Sequence, residues 1–129
     1  MKVFISIPMS GRTDKEVFDE IEEIKKIFTD YIKDTQPGTE IEFINTYVQP
    51  QAPEDCVTEP LWYLGESIKV LSTCDAVIFA PGFRQARGCT VEYLIALNYY
   101  LDFYEMETDD TKVYIQHSGE YTFRWEKEY

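Results

Sequence analysis

The chain has 129 residues, 44% of them hydrophobic, which suits one domain over residues 1–129. Twelve basic residues against twenty-four acidic ones give a net charge of −12, a surface that repels nucleic-acid polymers and anionic membranes. Three cysteines (Cys56, Cys74, Cys89) and the single His117 stand at no metal-ligand spacing, so no metal site and no disulfide framework is expected, and the compartment is read as the reducing cytoplasm.

Lys2–Ile7, KVFISI, is a β-branched and aromatic run that reads as a buried first strand. It is too short for a signal sequence, and Asp14 and Glu16 follow at once. The loop PMSGRTD comes next. From Asp14 to about Lys33, Val17, Ile21, Ile24, Phe28, Tyr31 and Ile32 recur at helical spacing, with Thr13 or Asp14 as N-cap. Pro37-Gly38 ends that helix. Glu40–Ile44 alternates like a strand, and the proline-bearing stretch from Asn45 to Pro60 reads as irregular loop. A second helix is expected from about Leu61 to Thr73. Asp75–Ala80, apolar throughout its interior, reads as a strand buried on both faces. A third helix is expected from about Thr90 to Tyr104, then a strand over Lys112–Gln116, a turn at 117–120, and a last strand over Tyr121–Trp125.

Alternating strands and helices followed by strands predict an α/β fold. The expectation is a doubly wound, mainly parallel sheet of about five strands with helices on both faces. Ligands on such sheets sit beyond the carboxyl ends of the strands. Those ends fall at Ser6–Arg12, at Asn45–Tyr47 and at Pro81–Gly88. Ser10-Gly11-Arg12 offers backbone N–H groups and a guanidinium near a helix start, suited to a phosphate or sugar hydroxyl. The same residues also suit a plain turn that needs glycine. Glu92 follows Gly88 by four residues, inside the third helix. It reads as a nucleophile or general base if desolvated, or as an acid that favours the helix dipole. Asp75 belongs at the opposite end and reads as structural. Cys89 reads as a small packing residue and His117 as a turn residue. The acidic face Asp19, Glu20, Glu22 and Glu23 reads as solvated surface.

Three blocks carry a resemblance: KVFISIPMSGRTD at the start, CDAVIFAPGF in the middle and ARGCTVEYLIAL after it. Together, over roughly residues 2–100, they resemble the nucleoside 2-deoxyribosyltransferase superfamily, nearest its small bacterial and phage subgroup of unknown function. The resemblance implies a flavodoxin-like, Rossmann-like sheet and N-glycosidic chemistry on 2-deoxyribonucleosides or their 5′-monophosphates. It implies Glu92 as the nucleophile that attacks the anomeric carbon, without metal or organic cofactor. Carried over by position, the substrate would be held by Ser6, Met9, Ser10, Gly11, Arg12, Asn45, Gly82, Arg87 and Gly88. The resemblance also implies a homodimer or higher homo-oligomer. The aromatic tail Tyr121, Phe123, Trp125 and Tyr129 serves either that contact or an edge hairpin on the sheet.

One departure stands out. Members of the superfamily place an Asp in the second helix, eight residues before the Asp that opens the third strand; here that position is Ser67, with Glu66 beside it. Two functions follow as rivals: an N-glycosidase, transferase or hydrolase, working through Glu92, and a nucleotide-binding module that senses or sequesters without turnover. A phosphoacceptor receiver domain needs an acidic pair after its first strand, where Ile7-Pro8 stands.

Overall fold

The computed structural model describes residues 1–44, 51–120 and 122–128. Among the described residues the elements are β1 (Lys2–Ser6), α1 (Asp14–Thr35), β2 (Glu42–Ile44), α2 (Glu59–Leu71), β3 (Ala76–Phe79), a single 3-10 turn (Phe83–Gln85), α3 (Arg87–Asn98), β4 (Asp102–Thr108), β5 (Lys112–His117) and β6 (Trp125–Glu128). The strands form one sheet in the order β2-β1-β3-β4-β5-β6. β2, β1, β3 and β4 are mutually parallel, while β5 pairs antiparallel with β4 and β6 antiparallel with β5. The fold is therefore α/β with a mixed sheet of six strands, where a mainly parallel sheet of about five is expected from the sequence.

Alternate residues of a strand face opposite sides, and two cores result. Val3, Ile5, Ala76, Ile78 and Tyr104 pack with the buried stripe of α1, which runs from Val17 through Ile21, Ile24 and Phe28 to Ile32. Phe4, Val77 and Phe79 pack with Leu71 of α2 and with Cys89 and Ala96 of α3. Thus α1 covers one face and α2 and α3 the other. From β1 the chain crosses to β2 on one side, and from β2 it crosses back to β3 on the other. The strand order reverses at β1, whose carboxyl end lies beside that of β3.

Local chemistry sets the ends of α1. Thr13 is its N-cap: the hydroxyl accepts from the Glu16 amide at 3.2 Å, and the Glu16 carboxylate accepts from the Thr13 amide at 3.4 Å. α2 starts two residues earlier than its apolar pattern indicates, since Glu59 and Pro60 occupy its first turn, where a missing N–H costs nothing.

The largest departure from the sequence reading lies after α3. The helix does not run on to Tyr104. It stops at Asn98, and 102–108 forms β4, which pairs with both β3 and β5. The stop is a left-handed cap: Tyr100 has φ 57°, and the Leu101 amide donates to the Ala96 carbonyl at 3.0 Å. Glycine is the ordinary residue there, and its absence hides the boundary. β6 also lies later than the expected 121–125 and pairs with β5 at the sheet edge. Trp125 is buried against Tyr31 and donates its indole N–H to Asp34 at 3.0 Å, so it serves the sheet hairpin. Tyr121 and Tyr129 lie outside the described residues.

Candidate active site

In β1, Phe4 faces α3, so Ser6, two residues on, faces it too. Register places Ser6, Phe79 and Glu105 in one row across β1, β3 and β4. An aromatic block seats α3 over this row. The Phe79 ring lies 5.0 Å from Phe83 and 5.4 Å from Tyr93, and Tyr93 lies 5.3 Å from Phe103. Tyr93 is the neighbour of Glu92, so the block fixes where that carboxylate sits.

Glu92 is 6% exposed and Ser6 is 1% exposed. The Ser6 hydroxyl donates to Glu92 Oε1 at 2.9 Å. These two are the buried polar or charged residues among the described ones. Among those residues no buried side-chain oxygen or nitrogen lacks a partner. Burial pushes the Glu92 carboxyl up to about 7, and the Ser6 hydrogen bond pulls in the opposite direction. Glu92 stands in the second turn of α3, beyond the reach of the helix end, so dipole stabilisation does not account for its position. Cys89, one turn earlier, is also buried, and burial pushes its thiol up to about 11. It stays protonated at neutral pH and is no nucleophile.

The first loop is arranged differently from the expectation. Gly11 has φ 76°, so the turn requires glycine for its backbone. The Arg12 amide closes the turn on the Met9 carbonyl at 3.2 Å. The Arg12 guanidinium folds back onto its own loop and helix. It donates to the Pro8 carbonyl at 2.8 Å, to the Glu16 carbonyl at 3.3 Å and to Glu20 at 3.4 Å. Glu20, read from sequence as plain surface, is the counter-ion of Arg12. Met9 and Ser10 are exposed on the turn.

In the β3–α3 connection, Gly82 has φ 80° and starts the 3-10 turn that sends Phe83 into the core. Arg84 lies over the Phe83 ring at 4.5 Å and pairs with Glu105, bracing the turn against β4. Arg87 is exposed at the first position of α3, and the Ala86 cap leaves the first-turn amides without a side-chain acceptor. Gly88 has open space where a side chain would stand. Asn45 lies outside the described residues. The structure thus joins Ser6 to Glu92, commits Arg12 to Glu20, and leaves Ser10, Arg87 and the first turn of α3 as exposed donors. A cleft of about 340 Å³ lies beside the Gly82 turn, lined by 81–85 and 106–108.

Two other groups are structural. Asp75 accepts from the Lys2 amide at 2.7 Å, at the amino ends of the strands. His117 bonds Asp102 at 2.7 Å and stacks on Tyr104 at that same far end. On α2, Glu66 pairs with Lys69 at 2.9 Å. Among the described residues no group of His, Cys, Asp and Glu forms a metal-binding cluster.

The raised Glu92 value couples to stability. Below about pH 4.5 the carboxyl is protonated in both folded and unfolded chains and nothing is lost. Between there and about 7 the unfolded chain ionises first, so stability falls as pH rises, and above about 7 the loss is complete. Glu92→Gln has no such loss. Its unfolding free energy relative to the wild type should gain about 3 kcal/mol between acid and pH 8, read from denaturation midpoints across pH. A difference that stays constant over that window contradicts a buried, late-titrating Glu92.

Neither a protein-family model, nor a curated protein, nor a solved structure matches the chain.

Proposed function

We propose that the protein is an N-glycosidase of the nucleoside 2-deoxyribosyltransferase type, acting on a 2-deoxyribonucleoside or its 5′-monophosphate as transferase or hydrolase. The observation that carries this reading is the buried Glu92 carboxylate, held by Ser6 at the carboxyl end of β1, where strand order reverses. The parallel run β2-β1-β3-β4, with helices on both faces, supports the flavodoxin-like, doubly wound architecture that goes with it.

In this reading the ionised Glu92 attacks the anomeric carbon. A bond forms from its oxygen to C1′ as the bond from C1′ to the base nitrogen breaks, and the electron pair leaves with the base. The base takes its proton from solvent. Water, or a second base, then breaks the glycosyl ester and frees Glu92. Ser6 keeps the carboxylate aligned and supports its charge. The uncapped amides of α3, Arg87 and the Ser10-Gly11 turn are the donors placed for sugar hydroxyls or a phosphate. The chemistry runs on a carboxylate and calls for no cofactor. Three free cysteines fit a reducing cytoplasm, and among the described residues no helix is long and apolar enough to cross a membrane.

Incubation with a panel of deoxynucleosides and their monophosphates should release free base, with the rate falling as pH drops below about 7. Glu92→Ala should lower base release at least a hundredfold. No release by the wild type, or equal release by the variant, overturns the reading.

A second reading, binding without turnover, draws on a specific observation. The Glu92 shift comes from burial and Ser6 alone, with no second carboxylate contributing, and the helical position where the resembling enzymes carry Asp is Ser67. Calorimetric binding of a deoxynucleotide without base release selects this alternative.

The same reading includes a homodimer. From Gly88 to Leu101 the one charged residue is Glu92, which is buried. The outer side of α3, with Leu94 and Leu97, and the turn after it, with Tyr99 and Tyr100, therefore present an uncharged face on a chain of net charge −12. This face lets two acidic copies approach without repulsion. Sedimentation should give a dimer for the wild type and a monomer for Leu94→Glu/Leu97→Glu; a monomeric wild type refutes this contact.

A further inference from the structure

The end of α3 that carries Glu92 has little to anchor it from within the helix. Its Ala86 cap makes no side-chain hydrogen bond, and Gly88 in the first turn adds backbone freedom where a helix needs order. Glu92, in the next turn, is nevertheless 6% exposed and bonded to Ser6 at 2.9 Å. The restraint that keeps it there has to come from outside the helix.

Arg84, in the turn before α3, is placed to supply it. Its guanidinium lies 4.5 Å from the centre of the Phe83 ring and 5.7 Å from that of Tyr93, and the two rings are 5.4 Å apart. One planar cation thus lies over a ring of the turn and a ring of the helix together. On its other side Nη2 pairs with Glu105, and Nη1 lies 3.8 Å from Glu107. Glu105 stands in the sheet row that holds Phe79 and Ser6. Arg84 therefore ties α3 to the same row of strand residues that presents Ser6. Tyr93 follows Glu92 on the helix, about 100° further round its axis. A roll or lift of α3 that parts Tyr93 from Arg84 also draws Glu92 away from Ser6.

We propose that Arg84 is a positioning residue for Glu92: paired with Glu105 and stacked on Phe83 and Tyr93, it holds α3 at the depth where the Glu92 carboxylate meets Ser6. The role rests on the reading of Glu92 as the reacting carboxylate, but it is observed without turnover. Arg84 acts by contact and not through its field. Glu105 and Glu107 of β4 face it and offset its charge. Facing Glu92 are Ser6 of β1 and, one turn earlier on α3, the Cys89 thiol; among the described residues no charged side chain bears on the Glu92 carboxyl. The two modes of action differ in sign. A cation felt through space favours the carboxylate, so its loss would raise the pH at which Glu92 titrates. A lost restraint lets water reach the carboxylate and lowers that pH.

The test is carboxyl-carbon NMR titration of the full chain carrying labelled glutamate, with the Glu92 signal assigned by its absence from Glu92→Gln. In the wild type that signal should titrate near 7. Arg84→Ala should lower the midpoint by about one pH unit or more, toward the ordinary carboxyl range. Asp34→Ala, which removes the Trp125 hydrogen bond at the far edge of the sheet, should lower the melting temperature and leave the midpoint in place. If Arg84→Ala does not fold, Glu105→Gln, which loosens Arg84 from β4, should lower the midpoint in its stead. An unchanged or raised midpoint in the folded variant, or an equal fall in Asp34→Ala, overturns the proposal. The titration is separable from base release: a chain that shifts as expected yet releases no base keeps the positioning role and loses the glycosidase reading.

Discussion

The site depends on a carboxylate that the fold has taken out of water with one neutral donor beside it. Glu92 gains a hydrogen bond from Ser6 and no cation, so burial dominates and its proton is held to about pH 7. An ion pair there would make the acid strong and its charge satisfied. A hydroxyl leaves the charge available at a cost in stability, as expected where reactivity is preferred to packing. That cost requires a rigid frame, since a loose α3 would let Glu92 swing into solvent and regain its ordinary value.

The frame comes from both faces of the sheet. On the α3 face, Phe79, Phe83, Tyr93 and Phe103 interlock next to Glu92, and Arg84 ties the turn before α3 to Glu105 of β4. On the α1 face, the stripe from Val17 to Ile32 fixes β1, and with it the depth of Ser6. The far end is closed by other contacts: Asp75 on the Lys2 amide, His117 on Asp102, Trp125 on Asp34. At the carboxyl ends, Ser10 and Arg87 are exposed.

Elements with strong periodicity were legible in the sequence. The KVFIS run, the α1 stripe and the DAVIFA strand follow from spacing alone, because each buries a face that its pattern already marks. β4 was not legible. Leu101 to Thr108 alternates weakly after an apolar helix, and the boundary rests on Tyr100 in a left-handed conformation that glycine usually signals. The site divides the same way. Glu92 drew notice because it falls just inside a helix at that sheet edge, but its position alone read equally as an acid on the helix dipole, and the nucleophile role came with the resemblance. Ser6 was placed at the site but as a ligand contact, since nothing in a strand sequence says which side chain will meet a helix eighty-six residues later. Arg12 was read as a free cation because Glu20, its counter-ion, lies on the second turn of the following helix.

The proposed function requires that Glu92 form the bond to the sugar. A 2′-fluorinated nucleoside, whose fluorine slows breakdown of the glycosyl ester, tests it directly when the quenched protein is digested and weighed. The expected result is a peptide containing Glu92 that is heavier by one fluorinated glycosyl group, and no such peptide from Glu92→Gln. Base release accompanied by an adduct on another residue, or by the same adduct in Glu92→Gln, would contradict it.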